Sequence, residues 1–157
     1  MKIMTNVEIN KQARLSEHFT LGEMCKTSVK IENVPNGAQI ENLKRLCGWL
    51  EMLRSEYNRR YGEGDEPIII NSGYRSEAVN RLVGGVAESN HLTGCAVDIH
   101  VLGKEQAIRY ACILLDIADE SQEDFDELLI EQSAKSLWIH FAVRPFANRR
   151  RIRLMKG

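Results

Sequence analysis

Over residues 40–61 the apolar positions Ile40, Leu43, Leu46, Cys47, Leu50, Leu53, Tyr57 and Tyr61 recur three and four apart, which predicts one long amphipathic helix ending at Gly62. Over residues 95–101 the period changes to two. Cys95, Val97, Ile99 and Val101 share one face and Ala96, Asp98 and His100 the other, the pattern of a strand half buried and half open to a cleft. Residues 128–131 and 137–143 predict two more strands, joined as a hairpin through residues 132–136. Ile139, Phe141 and Val143 take the core face of the second, leaving Trp138, His140 and Ala142 opposite. The β-branched run at residues 67–71 predicts a short buried strand. Ser76 followed by Ala78, Val79, Leu82 and Val83 predicts a short helix stopped by Gly84 and Gly85. A longer helix is expected over residues 104–118, with Ile108, Ala111, Cys112, Leu115 and Ala118 buried. Thr20, three residues before Glu23, makes a capping-box pattern, and the polar segment up to Leu15 reads as irregular. The elements describe an α+β fold with helices packed on a small, mainly antiparallel sheet.

Composition sets the scale. The chain has 157 residues, 43% hydrophobic and 27% charged, and the expectation is one domain over residues 1–157 with 1–14 and 145–157 peripheral. A chain of this length buries roughly two-thirds of its unfolded surface, enough for a core without disulfide staples. With 21 Lys and Arg against 22 Asp and Glu the net charge is -1, so no global basic field marks a dedicated nucleic-acid binder. The basic cluster Arg144, Arg149, Arg150, Arg151, Arg153 and Lys156 reads first as a solvated tail and second as an attraction for an anionic polymer. Cys25, Cys47, Cys95 and Cys112 form no CxxC pair and are expected as reduced core residues. No run of about 18 apolar residues suggests a membrane helix, and residues 1–14 lack the apolar stretch of a secretory leader. Cytoplasmic synthesis and a monomer are the corresponding expectations.

His91, Asp98 and His140 are the candidates for chemistry. Two imidazoles and a carboxylate are a common protein contribution to a catalytic zinc, which keeps one position for water. Gly94 lets a loop turn back after His91 into the strand holding Asp98, and His140 arrives from another strand. A lone strand histidine is more often simply hydrogen-bonded. His100 shares a face with Asp98, so His91, His100 and His140 are an equally legal trio on period-two grounds, and spacing leaves that choice open.

Three blocks carry a resemblance. Ser72-Gly73-Tyr74-Arg75-Ser76, then Ser89-Asn90-His91-Leu92-Thr93-Gly94-Cys95-Ala96-Val97-Asp98, then Trp138-Ile139-His140 stand in this order. The middle block matches the pattern S-x-H-x-x-G-x-A-x-D in full. Together they closely resemble the zinc D-alanyl-D-alanine carboxypeptidase family, and the likeness runs over about residues 15–143. It is similar above all to the short, single-domain branch of bacteria and their phages, with the sheet-based fold those enzymes share with the Hedgehog signalling domain.

The resemblance implies His91, Asp98 and His140 as Zn2+ ligands, which favours Asp98 over His100. It implies Arg75 as a substrate-side arginine, donating to the scissile carbonyl or holding a substrate carboxylate, and Ser89 as an orienting residue beside the substrate. Many members carry an acid three positions before the last zinc histidine; here that position is Leu137. Glu131, at the end of the preceding strand, is the implied general base, with Glu127 and Asp126 as weaker alternatives. The implied activity is hydrolysis of an amide bond in the peptide stem of peptidoglycan or of muropeptides, as a D-Ala-D-Ala carboxypeptidase or an L-D endopeptidase. A phage lysis enzyme and a cytosolic recycler of wall fragments are the two expected settings. The competing reading is a non-catalytic zinc-containing module that binds peptidoglycan, which the missing acid at Leu137 favours.

Overall fold

The computed structural model describes residues 10–156. Residues 1–9 of the segment expected to be irregular lie outside the described residues. The helices are α1 (Leu21–Met24), α2 (Gly37–Tyr61), α3 (Glu77–Leu82) and α4 (Lys104–Ser121). The strands are β1 (Ile70–Ser72), β2 (Ala96–His100), β3 (Glu127–Gln132), β4 (Leu137–Ala142) and β5 (Arg151–Lys156), in the spatial order β1-β2-β4-β3-β5. Every neighbouring pair is antiparallel except β3 with β5, so the architecture is the expected α+β with a mainly antiparallel sheet.

Local sequence explains the helix ends. Thr20 and Glu23 form the expected capping box on α1. A second box, Asn36 with Gln39, starts α2 three residues ahead of the apolar stripe. Ser76 caps α3 through the Val79 amide. The α2 stripe packs Leu43, Leu46, Leu50 and Leu53 into a core completed by Val97, Ile99, Leu128, Ile139 and Phe141 from one face of the sheet. Trp49 meets Phe141 with ring centroids 5.3 Å apart. The other face of the sheet therefore carries Asp98 on β2, His140 on β4 and Glu127, Leu129 and Glu131 on β3.

Four expectations are corrected. On α4 the buried positions are Ala107, Tyr110, Ile113, Leu114, Ile117 and Ala118, whereas Ile108 is 57% exposed and Cys112 is exposed. Tyr110 sets this rotation: its ring stacks edge-on against Tyr57 at 4.9 Å, and burying an aromatic ring removes more apolar surface than burying Ile108. Cys112 is consequently not a core cysteine. At the sheet edge, β1 begins at Ile70 rather than Pro67, and Ile69 is 47% exposed because only one face of that segment meets the core. Finally, the stretch expected as a solvated tail contains β5, whose six residues pair in parallel with β3. Arg149 and Arg144 in the connection to β5 bind Asp126 rather than solvent alone.

Among the described residues no helix is long and apolar enough to cross a membrane.

Candidate metal centre

Asp98 and His140 face each other across the β2–β4 ladder. His91 comes from a 3-10 turn, Asn90–Thr93, which ends at Gly94 with φ +77°. A Cβ at Gly94 would stand 2.6 Å from the Gln39 carbonyl oxygen, so both backbone conformation and space demand glycine there. The Ser89 hydroxyl accepts the His91 amide at 3.0 Å, which places Ser89 as the cap of this turn.

The segment after β1 wraps the same turn. The Arg75 amide donates to the His91 carbonyl at 3.0 Å, and Nδ1 of His91 lies 2.7 Å from the Gly73 carbonyl oxygen. A carbonyl can only accept, so Nδ1 carries the hydrogen and Nε2 keeps a free lone pair. Gly73 is needed because a Cβ there would fall 2.3 Å from the Met24 carbonyl oxygen.

Nε2 of His91 and Nδ1 of His140 lie 3.3 and 3.2 Å from the same Asp98 oxygen, Oδ1. One ligand atom from each of the three residues falls within 4.8 Å of the others. Two ligands bound to one tetrahedral zinc at ordinary N and O distances stand about 3.4 Å apart. Both separations from Asp98 match that spacing, and the donor set is of the kind such an ion takes. His100, the rival on period-two grounds, is outside this cluster.

The charges are strongly coupled. Burial opposes ionisation of Asp98, but hydrogen bonds from His140 and His91 outweigh it and hold the carboxyl well below the ordinary range. Burial likewise opposes a charge on His140, yet Asp98 and Glu127 raise its pKa to about 9. Arg75 donates through Nε to Ser72 at 3.1 Å, through Nη1 to Asn80 at 3.2 Å and through Nη2 to Oδ2 of Asp98 at 3.0 Å. It thus orients the carboxylate whose other oxygen faces the histidines.

His91, Asp98, His140, Arg75 and Glu127 line a cleft of about 410 Å3 that also takes in Glu131, Leu129, Trp138, Val86, Arg149 and Met155. Glu131 stands opposite Trp138 in the β3–β4 register, and burial raises its carboxyl above the usual value. The cleft thus gathers the five residues singled out in the sequence, His91, Asp98, His140, Arg75 and Glu131, with Ser89 at its wall. Sequence reasoning gave too little weight to Glu127, whose Oε1 lies 2.8 Å from Nε2 of His140, and missed Asn90 and Arg149 around it. Period-two counting back from Glu131 through Leu129 was the available signal for Glu127.

A model of the Peptidase M15 family matches residues 17–140 of this chain. The zinc D-Ala-D-Ala carboxypeptidase of Streptomyces albus G is 45% identical over 40 residues, which make up 26% of this chain and 16% of that protein.

Proposed function

The chain belongs to the Peptidase M15 family, and on that premise we propose that it is a zinc-dependent metallopeptidase hydrolysing an amide bond in the peptide stem of bacterial peptidoglycan. The bond is the one cut by a D-Ala-D-Ala carboxypeptidase or by an L-D endopeptidase. The observation that carries this reading is the convergence of His91, Asp98 and His140 on one point at the wall of a cleft that also contains Glu131. The local likeness to a zinc D-Ala-D-Ala carboxypeptidase supports both the metal and the substrate class.

Nε2 of His91, Oδ1 of Asp98 and Nδ1 of His140 would hold the ion. Bound there, zinc supplies a Lewis acid to the scissile carbonyl and acidifies water in the site. Glu131 accepts the proton of the attacking water and returns it to the leaving amine. Its raised pKa suits a base working closer to neutrality than an exposed carboxylate does. Arg75 uses three of its five N–H donors on Ser72, Asn80 and Asp98, leaving two for the oxygen that gains charge during attack. The base role does not need an acid at Leu137, because the hairpin brings Glu131 to the same cleft.

The test is mass spectrometry of purified peptidoglycan and soluble muropeptides after incubation with zinc-loaded protein, beside a chelator-treated control. Loss of a terminal D-alanine identifies a carboxypeptidase, and paired internal fragments identify an endopeptidase. Binding of wall fragments with zinc present and no cleavage would replace this reading with the non-catalytic module.

A further inference from the structure

Glu127 has no step in the proposed reaction, yet it is bonded to a residue that would hold the metal. Its Oε1 lies 2.8 Å from Nε2 of His140 and accepts the Asn90 side-chain amide at 2.9 Å. Oε2 stands 3.8 Å from Nη2 of Arg149. Oε1 thus sits between the His140 ring nitrogen and an amide N–H that can only donate, so this carboxylate oxygen is an acceptor. Both imidazole nitrogens are therefore assigned: Nε2–H donates to Glu127, and Nδ1 faces Oδ1 of Asp98.

The residues behind Glu127 are equally constrained. The Asn90 amide nitrogen also donates to Oδ2 of Asp126 at 2.8 Å, while its side-chain oxygen accepts from Nε of Arg144 at 3.0 Å. The amide is thus locked with its donor toward Glu127. Asp126 is fully buried and receives the Arg149 backbone amide, Nε and Nη2 at 3.0, 2.9 and 2.7 Å.

Resting on the metal reading above, we infer that Glu127 is a positioning residue for the metal, fixing the His140 ring so that Nδ1 is presented beside Nε2 of His91 and Oδ1 of Asp98. The χ2 torsion of a histidine is broad, so an unanchored ring offers either nitrogen and must be ordered when the ion binds. A carboxylate on the remote N–H removes that freedom and makes the ligand nitrogen more basic. The Asn90–Asp126–Arg149 chain holds the carboxylate in turn, which gives the connection to β5 a part in the site.

The experiment measures zinc affinity by competition with a chromophoric chelator and records imidazole nitrogen NMR spectra of the zinc-loaded protein. The wild type is expected to bind one zinc, with His140 protonated at Nε2 and liganded through Nδ1. Glu127→Ala should weaken zinc binding about 10–100-fold. Glu127→Gln, whose amide oxygen still accepts the Nε2 hydrogen, should recover most of that loss. A Glu127→Ala protein with native near-ultraviolet circular dichroism and wild-type zinc affinity would overturn the inference. So would a wild-type spectrum with His140 unprotonated at Nε2, whether or not the alanine variant folds. A wild type that binds no zinc would remove the metal reading itself before any variant is compared.

Discussion

Oδ1 of Asp98 lies 3.2 Å from Nδ1 of His140, its direct partner across the β2–β4 ladder. These two proposed ligands lie on adjacent strands and are held by backbone pairing, so of the three only His91 depends on loop geometry. Asp98 also touches His91 and Arg75. Asp98→Ala is therefore expected to bind less than a tenth of a zinc per chain by elemental analysis, against one for the wild type. Stoichiometric zinc in that variant would place the ion elsewhere.

A site this preformed couples metal binding to stability. At free zinc 100-fold above the dissociation constant, binding to the folded state alone adds about 2.7 kcal/mol, or roughly 5–10 °C in the melting temperature for a chain of this size. Calorimetry with and without chelator should show this shift, and His91→Ala should abolish it. Equal melting temperatures for zinc-loaded and chelated wild type would contradict the site.

His91 relies on the Gly73 carbonyl, and Gly73 relies on having no Cβ. Gly73→Ala must push the backbone away from Met24, moving the carbonyl that orients the imidazole. A loss of about 1–3 kcal/mol in urea unfolding is expected for such a forced contact, together with weaker zinc binding in the competition assay. Unchanged stability would mean that the segment yields freely at this point.

Asp126 gives the fold an acid limit. Burial opposes its charge, but the Arg149 hydrogen bonds and Asn90 outweigh that and bring the pKa from 3.8 to about 2. A carboxyl depressed in the folded state stabilises above its unfolded pKa, and that contribution disappears as pH falls from about 4 through 2. Its size is about 2 kcal/mol for a shift of this order. Urea unfolding of metal-free protein should show that increment lost across this window, and Asp126→Asn should flatten the acid limb. An acid limb identical in the two proteins would remove Asp126 as its cause.

What the chain disclosed in advance came from periodicity for the elements and from the three motif blocks for the choice of site residues. Counting by two put Asp98 and His140 on open strand faces, and the short hairpin put Glu131 beside them, because strand alternation is local and survives folding. Spacing left Asp98 and His100 open and the resemblance favoured Asp98; in the strand register it is Asp98 that stands opposite His140, while His100 stands opposite Trp138. On α4 the apolar residues circle too much of the helix for the sequence to say which stripe wins, and the Tyr57–Tyr110 contact decides it. β5 hid in plain alternation: Ile152 and Leu154 alternate with Arg151 and Arg153, but the density of positive charge made the segment read as solvated. The Arg149–Asp126–Asn90–Glu127 chain joins parts of the sequence with no local pattern in common, so only the fold reveals it.

The most direct test of the account compares zinc-loaded wild type with zinc-loaded Glu131→Gln on purified muropeptides, reading products by mass spectrometry and metal content in parallel. Cleavage by the wild type is expected, and in the variant full zinc occupancy with a rate lower by about 10²–10⁴-fold, the usual contribution of a general base. Wild-type rates in the variant, or no cleavage by the zinc-loaded wild type, would contradict it.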